Sequence, residues 1–178
     1  MPYEILTLRN PKGHLQVSDE VLEAIWGEIQ AEGKRDSLFY MGGVHNAADF
    51  IRYIKQTELK VFFVVEKQTS KLRAIAWLSN VSRGNAFVHY CVLGLARRSI
   101  ARALLDYWCS LRRTDGSPWL QVLVGITPEY HTQALRVIQI VGFQTIGTIP
   151  NYCLEASGSG RCGAVISHYN CAAHRNQS

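Results

Sequence analysis

Three strand-like runs joined by two short polar connections constrain the fold of this chain most strongly. The runs are VFFVVEK (61–67), LRAIAWLSNV (72–81) and AFVHYCVL (86–93), and the connections are QTSK and SRGN. A connection of about four residues suits a hairpin, whereas a parallel crossover needs about a dozen residues or more. The sequence therefore predicts three consecutive antiparallel strands.

The hydrophobic period changes from two to 3.6 after this block. The stretch from Ala96 to Arg113 carries apolar residues on one helical face, TDGSP (114–118) ends the helix, and WLQVLVGI (119–126) returns to a strand pattern. A strand, a helix and a further strand in this order predict one parallel crossover within the sheet. The apolar helical positions are Ile100, Ala103, Leu104, Tyr107, Trp108 and Leu111.

The flanking segments supply a first strand, three more helices and a final hairpin. YEILTLR (3–9) reads as the strand, and 34–45 reads as a loop between two helices. Ser18 and Gly33 bound the first helix, 46–56 forms the second, and Thr132 caps a helix that ends at Gly142. The first helix directs Val21, Leu22, Ile25 and Ile29 inward, and the hairpin pairs 143–150 with 162–170.

This order of elements predicts a single α+β domain over residues 1–178. Its sheet is mixed, mostly antiparallel and twisted, with about seven strands flanked by about four helices. Residues 171–178 are expected to form a flexible tail.

The amino-acid composition indicates which class of protein this is but does not indicate its function. The net charge is +5 and 47% of residues are apolar, as in ordinary globular proteins. No apolar run approaches the ~20 residues of a membrane helix, and the N-terminus lacks a secretory pattern. The five scattered cysteines are interpreted as reduced thiols, and the expected location is the cytoplasm. A basic nucleic-acid module stays the weakest hypothesis, because no dense Lys/Arg run is present.

In this order of elements, two stretches of the chain resemble the GNAT superfamily of acyl-CoA-dependent N-acyltransferases. They are the junction GLARRSIARALL (94–105) and the later ALRVIQIVGF (134–143). The stretches AWLSNV, VHYCV and 124–150 look most like small GNAT-type proteins of bacteriophages. The resemblance implies transfer of an acetyl group from acetyl-CoA to a primary amine on a small molecule or protein. A phage protein would act in the host cytoplasm.

In this resemblance the phosphate motif falls on Ala96, Ser99 and Ala101, of which only Ala101 conforms to the family pattern. The chemistry of the motif is the binding of a diphosphate by free backbone N–H groups at a helix N-terminus. The Ser99 hydroxyl and nearby arginines can assist the binding. The resemblance assigns pantetheine to the main chain of Cys91, Val92 and Leu93, and the diphosphate to Arg97, Arg98, Ser99, Ile100 and Ala101.

The family's second motif falls on His131, Ala134, Ile138 and Gly142-Phe143. Ala134 matches and is assigned to cofactor binding. Ile138 occupies the place of the tyrosine that in many members protonates the leaving thiolate. An isoleucine cannot transfer a proton, so the usual acid is missing there.

Four side chains are candidates for catalysis, since amine acylation needs a base and oxyanion donors. His89 lies in the strand that hosts the thioester in the family, although a satisfied core histidine is the alternative interpretation. Glu129, Tyr130 and His131 follow strand 119–126 at the expected mouth of the cleft, although loop residues of these types are often merely solvated. The amine is expected near the 34–45 loop and Tyr130.

An alternative to the transferase remains open at this point. The missing motif residues also fit a catalytically inactive GNAT-fold protein that serves in binding or assembly, such as a phage component. No metal site is predicted, because Cys162, His168, Cys171 and His174 match no paired-ligand spacing.

Overall fold

The computed structural model describes residues 2–10, 12–94, 97–155 and 159–175. The strands are β1 (Tyr3–Thr7), β2 (Lys60–Glu66), β3 (Leu72–Ser82), β4 (Asn85–Val92), β5 (Val122–Pro128), β6 (Gln144–Leu154) and β7 (Arg161–Asn170). The helices are α1 (Asp19–Ala31), α2 (Arg35–Leu38), α3 (Ala47–Ile54), α4 (Arg97–Ser110), α5 (Thr132–Ile140) and α6 (Cys171–Arg175).

The seven strands form one sheet in the order β1-β2-β3-β4-β5-β7-β6. Every neighbouring pair is antiparallel except β4 and β5, which are parallel. The predicted meander, the crossover through α4, the final hairpin and the α+β class are therefore confirmed.

The apolar side chains of the strands alternate between the two faces of the sheet, so that a separate apolar core lies on each face. Phe63, Ile75 and Trp77 pack with residues of α1 and α3, whereas Phe62 and Ala76 pack with residues of α4 and α5. Successive side chains of a strand point to opposite faces, so residues one apart join different cores. The sheet is thus covered by α1 to α3 on one side and by α4 to α6 on the other.

Local signals explain where the helices begin and end. The Asn46 side chain accepts a hydrogen bond from Asp49 N at 2.9 Å and begins α3. Gly142 follows α5 with φ of +104°, a conformation that glycine adopts without steric cost. Phe143 N then donates to Ile138 O at 2.9 Å, which ends the helix as predicted.

Several details of the sequence prediction are wrong. The expected loop 34–45 contains α2, and the first five residues of the expected tail form α6, in which Cys171 is fully buried against the core. Val21 is 50% exposed because it lies on the outer side of α1. His131, not Thr132, is the residue that precedes α5 as its N-cap, and β5 begins at Val122 rather than at 119.

Candidate functional site

The parallel strands β4 and β5 separate along their length. They pair from Asn85 opposite Val122 to Val88 opposite Gly125, and no further. β4 continues to Val92 alongside β3, and β5 continues to Pro128 alongside β7. Each strand follows its other neighbour, so a gap opens between them, which we call the splay.

A cavity of about 310 Å³ occupies the splay. The end of β4 forms one wall, the end of β5 the opposite wall, and the start of α5 and the segment after α1 close the sides. Its lining residues are Glu32, Gly33, Lys34, Leu38, Tyr40, Val88, His89, Tyr90, Cys91, Val92, Ile126, Thr127, Pro128, His131, Gln133, Ala134 and Val137.

His89 borders the cavity in a mostly buried setting on the α1–α3 side of the sheet. Its Nε2 lies 3.1 Å from Ser79 Oγ, and its ring stacks on Trp77 with a centroid distance of 5.2 Å. Burial lowers the pKa of His89 to about 4, because a charged imidazolium is poorly solvated there. The imidazole is therefore neutral at physiological pH.

Tyr90, the next residue, points to the α4–α5 side and also borders the cavity. Its hydroxyl is buried and has no hydrogen-bond partner within the part of the chain that the structure describes. Burial raises the pKa of Tyr90 above its usual range. This hydroxyl remains protonated at physiological pH.

The main chain at the end of β4 is bound by two side chains from the segment after α1. Gly94 N donates to the Glu32 carboxylate at 2.8 and 3.2 Å, and the Lys34 ammonium donates to Val92 O. Glu32 and Lys34 also form an ion pair with each other. Any ligand that uses these main-chain groups must compete with both residues.

The described side chains at the start of α4 do not form part of the cavity wall. Arg98 and Ser99 are exposed, whereas Ile100 and Ala101 are buried in the core. Ser99 Oγ is 3.0 Å from the Tyr3 hydroxyl, so the serine contacts β1. None of these four residues lines the cavity, although Ala101 borders a second, small pocket together with the cavity residues Val88 and Tyr90. Ala96 and the Arg97 side chain lie outside the described residues.

Glu129, Tyr130 and His131 have different surroundings. The Glu129 carboxylate accepts a hydrogen bond from Gly163 N at 3.0 Å, and a Cβ at position 163 would overlap that carboxylate. The Tyr130 hydroxyl lies 3.5 Å from Asp36 O, and burial raises the pKa of Tyr130 to about 12. Of the three, only His131 is among the lining residues.

The splay brings together five of the thirteen residues predicted for the site, namely His89, Cys91, Val92, His131 and Ala134, whereas Leu93 is buried in the core and does not line the cavity. Ile138 is 4% exposed and packs in the core, as an isoleucine at this position should. Sequence reasoning missed Glu32, Lys34 and Ser79. Glu32 and Lys34 flank the predicted helix stop at Gly33, and only the fold shows that this stop faces β4.

Two structural features are absent from the residues that the structure describes. None of their helices is long and apolar enough to cross a membrane. They contain no group of three or more His, Cys, Asp or Glu side chains arranged to hold a metal ion.

Comparisons with known proteins identify the fold. No family model matches the chain, and no curated protein matches it by sequence. Solved structures do match. Spermidine N-acetyltransferase from Vibrio cholerae, in complex with CoA and spermine, superimposes with a TM-score of 0.72 at 12% identity over 96% of each chain.

Two other acetyltransferases agree with this match. An N-acetyltransferase from Staphylococcus aureus gives a TM-score of 0.66 at 15% identity, over 96% of this chain and 98% of its own. The ribosomal-protein-S5-alanine acetyltransferase from Vibrio fischeri gives 0.64 at 13% identity, over 96% and 93%. The chain has the GNAT fold, and the predicted resemblance is confirmed at the level of the fold.

Proposed function

We propose that this protein is an acyl-CoA-dependent N-acyltransferase that acetylates a primary amine. The observation that carries the proposal is the splay, where a cavity of about 310 Å³ lies beside strand main chain that β5 leaves unpaired. An extended ligand arm can pair with such a strand edge as an added strand would. The same fold in a neighbour complexed with CoA and spermine supports this assignment.

The chain's own residues have distinct proposed roles. The main chain of Cys91, Val92 and Leu93 holds the pantetheine arm, with Ala134 opposite. The backbone N–H groups of Arg97 to Ala101 hold the diphosphate, since a helix N-terminus favours anions. A bound acyl-CoA supplies an activated acyl thioester to this site.

His89 is the proposed base. The proposed role requires the tautomer in which Nε2–H donates to Ser79 Oγ, because Nδ1 then carries the lone pair that accepts a proton. A base with a pKa of about 4 does not deprotonate a free ammonium ion at neutral pH. It can accept the far more acidic proton that the amine nitrogen carries once the new N–C bond forms. Glu129, Tyr130 and His131 are proposed to border the amine's path.

A second candidate function is a GNAT-fold binding or assembly protein without catalysis. The contact of Lys34 with Val92 O favours it, because it occupies a main-chain group that the ligand would use, and Glu32 holds the nearby Gly94 N in a similar way. The isoleucine at position 138 favours it as well.

Calorimetric titration with acetyl-CoA at moderate salt, followed by a thiol-release assay over a panel of primary amines, tests both candidates. Saturable binding together with thiol release that depends on the amine is the result expected of the transferase. Binding without release from any amine would favour the second candidate. Absence of heat and of a thermal shift at millimolar ligand would overturn the transferase.

A further inference from the structure

Cys153 on β6 and Cys162 on β7 are directly opposite each other in their antiparallel pair. Opposed residues of such a pair share one face, with Cα atoms about 4.5–5.5 Å apart. Disulfides span Cα separations of about 4.4–6.8 Å. Both residues carry free thiols, so the register places two thiols within bridging distance.

The two thiols differ in their access to solvent. Cys153 is fully buried and packs with Tyr40 and Ala164, whereas Cys162 is half-buried near the end of the hairpin, with Sγ 3.9 Å from Leu154 O. A dissolved oxidant therefore meets Cys162 first. The other three cysteines, Cys91, Cys109 and Cys171, are each at most 5% exposed.

We propose that Cys153 and Cys162 are an oxidation site, at which a small-molecule disulfide such as oxidised glutathione converts the two thiols into a disulfide across β6 and β7. The Cys162 thiolate attacks one sulfur of the oxidant, whose S–S bond breaks and releases one glutathione thiolate. The Cys153 thiolate then attacks the Cys162 sulfur of the mixed disulfide and releases the second. Two electrons pass to the oxidant, and the two cysteine protons end on the two glutathione thiols.

This site lies next to the cavity of the splay. Tyr40 packs against Cys153 and lines that cavity, and its carbonyl oxygen accepts a hydrogen bond from Leu154 N at 2.9 Å. A bridge at Cys153 therefore forms directly beneath a residue of the cavity wall.

The second step is slow and depends on pH. Burial, and then the neighbouring Cys162 and Glu129, raise the pKa of Cys153 to about 12. Tyr40 and Tyr130 also face this thiol. Below this pKa the thiolate fraction rises about tenfold per pH unit, so closure of the disulfide should accelerate about tenfold from pH 7.5 to 8.5. Glu129→Gln should accelerate closure further, because it removes a negative charge and keeps an acceptor for Gly163 N.

The test is peptide mapping of the full-length reduced protein after incubation with oxidised glutathione at pH 8 and alkylation of the remaining thiols. The expected product links the peptides of Cys153 and Cys162 and leaves the other three cysteines alkylated. Cys153→Ala should stop at a glutathione adduct on Cys162, and Cys162→Ser should leave Cys153 unmodified. Cys109→Ala, a buried cysteine elsewhere, is the matched control and should form the link as the wild type does.

The wild-type mapping decides the proposal even if a variant fails to fold. A glutathione adduct on Cys162 that never closes between pH 7.5 and 9 would overturn the proposal. Two thiols that both stay reduced, or a link between other cysteines, would overturn it as well.

Discussion

The splay and the junction between β4 and α4 lie at either end of one short stretch of chain, yet their main-chain groups are used differently. In the splay, β4 has no β5 partner beyond Val88, and a cavity fills the gap. At the junction, Gly94 N is bound by Glu32, and the Ser99 hydroxyl contacts Tyr3. The splay offers open space beside β4, with Lys34 bound to Val92 O at its edge, whereas at the junction the protein's own side chains hold both Gly94 N and the Ser99 hydroxyl.

The two regions depend on the sequence in different ways. The splay reflects the strand pairing, since the end of β4 continues alongside β3 and the end of β5 continues alongside β7. An anion site at the junction depends on particular residues, and there Ala96 and Ser99 depart from the GNAT phosphate pattern. Because these departures weaken the junction as an anion site, whereas the splay offers an open cavity, we expect ligand binding to be more sensitive to changes that fill the splay than to changes at the junction.

The largest effect is expected from Ala134→Trp. Ala134 lines the cavity from α5, and an indole there occupies the space proposed for the pantetheine arm. The affinity for acetyl-CoA should fall at least about a thousandfold, or about 4 kcal/mol. Titration calorimetry measures the change, and Arg136→Trp, at an exposed position of the same helix, is the control. Equal affinities in the two variants would place the ligand outside the splay.

The second prediction concerns how the free energy of unfolding depends on pH. It tests whether the surroundings of His89 at the splay keep its imidazole neutral. The folded-state pKa of about 4 lies below the ordinary value of 6.5, so between these values the unfolded chain binds more protons than the folded chain. The stability contributed by this difference is fully present above about pH 6.5 and is lost as the pH falls towards 4. From pH 7 to 4 the wild type should lose about 3 kcal/mol more than His89→Gln in urea unfolding. Parallel losses in both proteins would show that His89 titrates normally.

Much of the fold could be predicted because its signals are local. Four-residue connections fix the meander, and Gly142 marks the end of α5 without any tertiary information. α6 was missed because a five-residue helix is too short to show a periodic pattern, although Asn170 Oδ1 accepts from Ala172 N and Ala173 N at its start and Cys171 is fully buried.

The candidate site shows the same difference between local signals, which the sequence reveals, and long-range contacts, which it does not. His89 and Ala134 were predicted from their place in an expected sheet and helix, and both border the cavity. Glu32 and Ser79 were missed, since each acts through a contact with a residue that is 62 or 10 positions away in the chain. Long-range pairing of polar side chains leaves no periodic pattern in a single sequence.

A smaller effect is expected from Ser99→Asp at the junction. A carboxylate at the start of α4 repels a diphosphate held there, although solvent screens the repulsion because Ser99 is exposed. The affinity for acetyl-CoA should fall about tenfold, whereas an acid in the first turn keeps the helix stable. Ser99→Asn is the matched control, because it also alters the contact with Tyr3 but adds no charge. If both variants bind equally, the anion does not lie at this helix terminus.

The smallest effect is expected from Tyr90→Phe, which removes only an oxygen from the splay. The Tyr90 hydroxyl is buried beside Leu104 and Trp108, and the described residues offer it no hydrogen-bond partner. A buried hydroxyl without a partner costs about 1–3 kcal/mol, so its removal should raise the free energy of unfolding by about 1 kcal/mol. Urea unfolding measures this change, with Tyr107→Phe on α4 as the control. A loss of stability in Tyr90→Phe would show that the hydroxyl has a partner, and the α4–α5 side of the splay would then be as firmly bound as the junction.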